Sequence, residues 1–82
     1  MTDQDILAGC TEILRDLLAD DSIVLTMTTR REQVRNWDSL AYVNFIVSVE
    51  TRFGVSFGVA EVESFEDVGA VVRRTQELRA AA

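Results

Sequence analysis

The 82-residue sequence has no histidine, no lysine and no proline, and Cys10 is its only cysteine. Without histidine, the commonest general base and metal ligand is missing, and the usual nucleophilic triads lose their central member. One cysteine excludes an internal disulfide and a multi-cysteine metal site. Cys10 falls on the apolar face of the first predicted helix, where a small buried thiol is the plain reading. No apolar run approaches the roughly 20 residues of a membrane span, and the Asp-rich N-terminus lacks the basic region and apolar core of an export signal. The lack of proline, with only 4 glycines, favours helices. A chain this short also has little room for a deep pocket. The expectation is one cytoplasmic domain over residues 1–82 that is not an enzyme.

What is present is 48% hydrophobic, an ordinary globular content that argues against disorder. Fourteen acidic residues against 8 basic ones give a net charge of −6. That balance disfavours nucleic acid, and basic or neutral protein surfaces are the expected partners, with no membrane and a monomeric state.

Thr2 and Asp5 resemble a capping box, after which Ile6, Leu7, Cys10, Ile13, Leu14, Leu17 and Leu18 recur at helical spacing. This predicts a first helix over about 3–19, with Asp3, Glu12, Arg15 and Asp16 facing outward. Residues 20–37 form a connection long enough to need anchoring, by Ile23, Leu25 and Val34 and a short helical turn. Arg30, Arg31 and Arg35 make a basic cluster in it, read as solvated. Asp38 or Ser39 caps a second helix that Phe53-Gly54 ends. On it, Tyr42, Phe45, Ile46, Val49 and Phe53 form a core arc. Beside them Ser39, Leu40, Val43 and Val47 form a second arc, interrupted by Glu50, while Ala41, Asn44, Ser48, Thr51 and Arg52 face solvent.

Val55 to Phe57 reads as extended, and Gly58 allows a change of direction before a short third helix over Val59 to Glu63. Ser64 with Asp67 suggests a capping box for a last helix, whose core face is Val68, Val71, Val72, Thr75 and Leu78. Gly69 weakens that helix, Arg73, Arg74 and Arg79 favour it through the helix dipole, and Ala80 to Ala82 are expected to fray. The fold class is all-α: a small irregular four-helix bundle of three main helices and one short one, with a long loop between the first and second.

A hydroxyl at a helix start beside spare aliphatic residues has the layout of a tethering point next to a docking patch. Asp38-Ser39-Leu40 resembles the Asp-Ser-Leu attachment motif of acyl carrier proteins, and the likeness continues through Val43, Ile46, Val49 and Phe53 to Phe57, Phe65 and Val68. The resemblance implies that Ser39 carries 4′-phosphopantetheine, taken from coenzyme A by a phosphopantetheinyl transferase. Acyl-loading and acyl-processing enzymes are then the partners, and the group holds acyl intermediates as thioesters. Asp38 is implied in recognition by the transferase and in metal binding within that complex. Trp37, Asp38, Leu40, Val43, Val47 and Glu50 are the candidate recognition residues, although for Trp37 a place over the core is the first reading, since a small bundle seldom leaves its one tryptophan to solvent.

Two departures from primary fatty acid carriers stand out: Trp37 before the motif, and a second helix with only Asp38 and Glu50 as acids. They suggest a discrete bacterial carrier of polyketide or other modified-acyl metabolism, with a general fatty acid carrier or an aminoacyl or peptidyl carrier as alternatives. The all-arginine basic set reads as the codon signature of a GC-rich bacterium. A helical interaction module without a prosthetic group would explain Val43 and Val47 equally well, but not the match around Ser39.

Overall fold

The computed structural model describes residues 1–81, and its regular structure among them is entirely helical. The helices are α1 (Asp3–Leu18), α2 (Ser39–Phe53), α3 (Val59–Ser64) and α4 (Val68–Ala81), with a 3-10 turn at Arg31–Gln33. The capping box at the head of α1 is present: the Asp5 amide donates to Thr2 Oγ1 at 3.2 Å, and the Thr2 amide donates to Asp5 Oδ2 at 2.8 Å. The Thr2 amide, and after it the Thr2 hydroxyl, holds the Asp5 carboxyl below its ordinary value.

α1 packs against both α2 and α4, and the apolar stripes of the three helices close one core. Ile6, Cys10, Leu14, Phe45, Val49 and Val72 are wholly buried in it. Burial pushes the Cys10 thiol up to about 12, so it stays protonated and inert. Leu17 departs from expectation: it lies within the apolar arc of α1 yet is 38% exposed, while Leu18 beside it packs against the core. Leu18 and Leu78 are half-buried.

The long connection is anchored at several points. Ile23 and Leu25 are buried, Val34 is half-buried against the core, and Arg15 Nε donates to the Ile23 carbonyl at 2.7 Å. Further along, the Thr29 and Met27 carbonyls accept from the Val68 and Gly69 amides at 2.9 and 2.8 Å. The loop thus satisfies two donors at the head of α4 that the helix itself leaves free. A Cβ on Gly69 would lie 2.3 Å from the Met27 oxygen, so the glycine that weakens the helix is what allows the loop to touch it.

The head of α4 also corrects the expected Ser64-Asp67 box. Ser64 ends α3, and its hydroxyl donates back to the Glu61 carbonyl at 2.9 Å. Asp67 alone caps α4, accepting from the Ala70 amide at 2.8 Å.

The α4 arginines serve both their own helix, where Arg73 lies 3.8 Å from the capping Asp67, and its neighbours. Arg79 donates to the Phe53 carbonyl at the end of α2, and Arg74 pairs with both Glu61 and Glu77. α4 continues through Ala81 without fraying at Ala80; the expectation for Ala82 lies outside the described residues. Arg52 on α2 meets Glu12 on α1 at 2.6 Å, an exposed pair of small energetic weight.

Candidate functional site

The site is built at the junction of the long connection and α2. Asn36 takes a left-handed conformation (φ 69°), which asparagine tolerates better than most residues, and this turns the chain so that Trp37 drops inward. Asp38 then caps α2. Its Oδ1 accepts from the Ala41 amide at 2.9 Å, and its carbonyl accepts from the Tyr42 amide at the same distance. Ser39 is therefore the first residue of α2, exposed, on a helix start held by its neighbour. Gly54 (φ 67°) closes the other end.

Trp37 was expected among the recognition residues or over the core, and it takes the second place. Only 6% of it is exposed, and its ring packs edge-on against Phe45 with centroids 5.0 Å apart and tilted against Tyr42 at 6.2 Å. It is a wall of the site, not a contact surface. Its indole Nε1 is shielded from solvent and has no hydrogen-bond acceptor among the described residues. A buried donor left in that state costs about 1–3 kcal/mol.

Ser39 opens onto a cleft of about 690 Å³ between α2, α3 and the start of α4, lined on its apolar side by Trp37, Tyr42, Ile46, Phe57, Phe65 and Val71. Phe57 and Phe65 meet edge-on at 5.3 Å. The Tyr42 hydroxyl donates to the Val62 carbonyl at 2.7 Å, tying α2 to α3. Burial raises the Tyr42 pKa, opposed in part by the Arg31 guanidinium lying 5.3 Å over the ring. The phenol is thus a fixed donor.

α3 is held by Glu61, which accepts from the Gly58 amide at 2.8 Å and pairs with Arg74. The amide bond, more than the arginine, keeps the Glu61 carboxyl below its ordinary value.

Leu40, Val43 and Val47 are 71%, 52% and 53% exposed and share one outer strip of α2. Val59, at the head of α3, is another exposed aliphatic, and with Val43 and Val47 it lines the cleft mouth. A helix of six residues buries little of itself, which is the only signal in the sequence that would have singled Val59 out.

Glu50 holds the fold together: its carboxylate accepts from the Phe57 amide at 2.8 Å and fixes the extended segment under the cleft. Ala41, expected on the solvent face, is half-buried against the core, whereas Asn44 is exposed as expected. Of the three connection arginines, all exposed, Arg31 faces the site over Tyr42 and Arg30 lies 3.6 Å from Glu32.

The fold is a helical bundle with an exposed serine heading its second helix, directly after the Asp38 cap and beside a roomy cleft. No protein-family model and no curated protein matches the chain. Among solved structures it is similar to the solution NMR structure of a holo acyl carrier protein from Geobacter metallireducens. The TM-score is 0.83 at 35% sequence identity, over 92% of this chain and 86% of that one. The chain belongs to the acyl carrier protein family.

Proposed function

We propose that the chain is a non-catalytic carrier bearing 4′-phosphopantetheine on Ser39, and that it shuttles acyl groups between the enzymes of polyketide or other specialised acyl metabolism. The observation that carries this reading is the exposed Ser39 at the capped head of α2, beside a cleft, in an acyl carrier protein fold. The neighbour of known structure is a holo form.

The residues present suit the group. The amides of Ser39 and Leu40 precede the first helical hydrogen bond, and with the helix dipole they favour the negative charge of a phosphodiester at Ser39. The Asp38 carboxylate is already committed to the Ala41 amide, so its charge is held by the same helix start. When bound, the group supplies a thiol on a flexible arm that carries acyl groups as thioesters. Ser39 is the substrate of a separate phosphopantetheinyl transferase, which brings the base, metal and coenzyme A.

The strip Leu40, Val43 and Val47 is the docking surface. A small apolar patch fits brief encounters, and tethering the cargo raises its effective concentration at each enzyme met. The specialised-metabolism part rests on charge. Apart from the capping Asp38, the one acid of α2 is Glu50, and it is committed to the Phe57 amide, so the helix offers basic partners little. Incubation with coenzyme A, magnesium and a broad-range transferase should add one phosphopantetheine mass to the wild type and none to Ser39→Ala. Persistence of unmodified wild type with a transferase active on other carriers would refute the reading.

A further inference from the structure

Five of the eight arginines are used inside the fold: Arg15 on the Ile23 carbonyl, Arg79 on the Phe53 carbonyl, and Arg52, Arg73 and Arg74 on carboxylates. The other three, Arg30, Arg31 and Arg35, stand exposed within six consecutive residues of the long connection. Among the described residues Arg31 and Arg35 pair with no carboxylate, and Arg30 has only the exposed Glu32, 3.6 Å away. In a chain of net charge −6 this is a concentration of positive charge that the fold leaves largely unneutralised.

The segment is ordered and close to Ser39. The Arg30 amide donates to Gln33 Oε1 at 2.9 Å, and the Gln33, Val34 and Trp37 amides donate to the Arg30, Arg31 and Val34 carbonyls at 3.0, 3.1 and 3.3 Å, with the buried Trp37 ring anchoring the end nearer Ser39. Arg31 lies over Tyr42 and lines the same cleft as Ser39. Arg35 is four residues from Ser39, a chain reach of at most about 14 Å. That is little more than the roughly 10 Å over which charge acts at 0.1 M salt. Glu63 and Glu66, exposed and outside any ion pair among the described residues, line the cleft from α3 and the turn that follows it.

We propose that the face around Ser39 docks a protein partner whose surface is acidic where it meets Arg30, Arg31 and Arg35 and basic where it meets Glu63 and Glu66. The inference rests on the carrier reading above only in taking Ser39 as the group presented to that partner. A nucleic acid fits poorly, since its phosphates would be brought against Glu63, Glu66 and a net charge of −6, whereas a folded protein can oppose both signs. An arginine held on an aromatic face, as Arg31 is on Tyr42, keeps its N–H edge free for a bidentate carboxylate. Two patches of opposite sign fix the orientation in which a partner approaches Ser39 and speed the encounter more than they deepen affinity, which suits brief visits.

The full chain is titrated with a soluble Glu-rich peptide and, separately, a Lys-rich one, and followed by its amide NMR spectrum. The Glu-rich peptide should move the amides of residues 30–37 and the Lys-rich one those of 63–66, and both effects should fade as salt rises from about 0.01 M to about 0.15 M. Arg30→Gln, Arg31→Gln and Arg35→Gln together should weaken the Glu-rich peptide at least about threefold. Arg35→Gln alone should weaken it too, while Arg52→Gln, which removes the same charge about 20 Å along α2 from Ser39, should not. Bound Glu-rich peptide should also slow modification of Ser39 by a broad-range transferase for the wild type and not for the triple variant. Shifts outside these two stretches or none at all, an equal loss on Arg52→Gln, or equal slowing of both proteins overturns the proposal. Inorganic phosphate moving the same amides as strongly as the peptide also overturns it, and assigns the loop to a small anion. A wild type that takes up no phosphopantetheine defeats the carrier reading instead, and the titration still decides the patch.

Discussion

Replacing Gly69 with alanine sets two effects of known size against each other. In an isolated helix the change is favourable by about 0.8–1.0 kcal/mol, because glycine loses more backbone freedom on folding. Here the new Cβ would stand 2.3 Å from the Met27 carbonyl oxygen and 3.1 Å from its carbon, both backbone atoms that no rotamer change can remove. The loop must retreat, and the bonds from the Gly69 amide to Met27 and from the Val68 amide to Thr29 are lost together. Each is worth about 1 kcal/mol net, rising to about 3 if its buried donor finds no water.

The helix gain does not offset this, and Gly69→Ala should destabilise by roughly 1–5 kcal/mol. For a domain of this size that lowers Tm by at least about 4 °C. Gly58→Ala is the control: its Cβ meets only the flexible Glu61 side chain at 3.5 Å and its backbone (φ −72°) suits alanine, so only the preference of a helix N-cap for glycine opposes it, and stability should change by no more than about 1 kcal/mol with the amides at 68 and 69 still protected. Urea unfolding of both variants, with amide exchange at positions 68 and 69, is the assay. An equally or more stable Gly69→Ala protein with both amides still protected would refute the argument that the loop rests on α4.

Phe45 is wholly buried and Val47 half-exposed, so Phe45→Ala should cost about 3–5 kcal/mol, and Val47→Ala within about 0.5 kcal/mol while slowing acyl transfer to partners. Thermal melts and transfer kinetics check this, and the reverse ranking would mean that the faces of α2 are misassigned. Asn44→Glu, at an exposed position, should speed malonyl loading by a transacylase of fatty acid synthesis without changing stability. That gain should shrink at 0.1 M salt, where charges are screened over about 10 Å; no salt-dependent gain would remove the basis for the specialised-metabolism reading. The Glu61 carboxyl titrates below its ordinary value near 4.5. A depressed folded pKa gives stability that is complete above the unfolded value and lost as pH falls through the folded one. Acid unfolding of Glu61→Gln should therefore show a shallower loss of stability below about pH 4.5 than wild type.

The period of the apolar residues was enough to locate α1, α2 and α4 and to separate Phe45 and Val49 from Val43 and Val47. Helical periodicity is a local property, and each of these faces follows from it. The misplaced details depend on turns and on contacts between elements, which helical periodicity does not encode. Ser64 has the chemistry of a cap, but the actual head of α4 is set by Asp67 and by two carbonyls from a loop some 40 residues earlier. Glu50 reads as a surface acid until the Phe57 amide, brought close by the turn at Gly54, is seen to claim it. Trp37 could be placed only with Asn36 in the left-handed region, and Ala41 only once it was seen to pack against the core. The attachment motif was legible as a resemblance. The cleft that Ser39 opens onto was not, because its walls come from four separate stretches of chain.

On this reading Ser39 carries the group in the living cell. The most direct measurement is the intact mass of the protein purified from its native host, followed by fragmentation to locate any added mass. The species expected is heavier by one phosphopantetheine, free or acylated, with the increment confined to fragments containing Ser39. An unmodified mass from cells in which other carriers are modified, or an increment on any other residue, would contradict it.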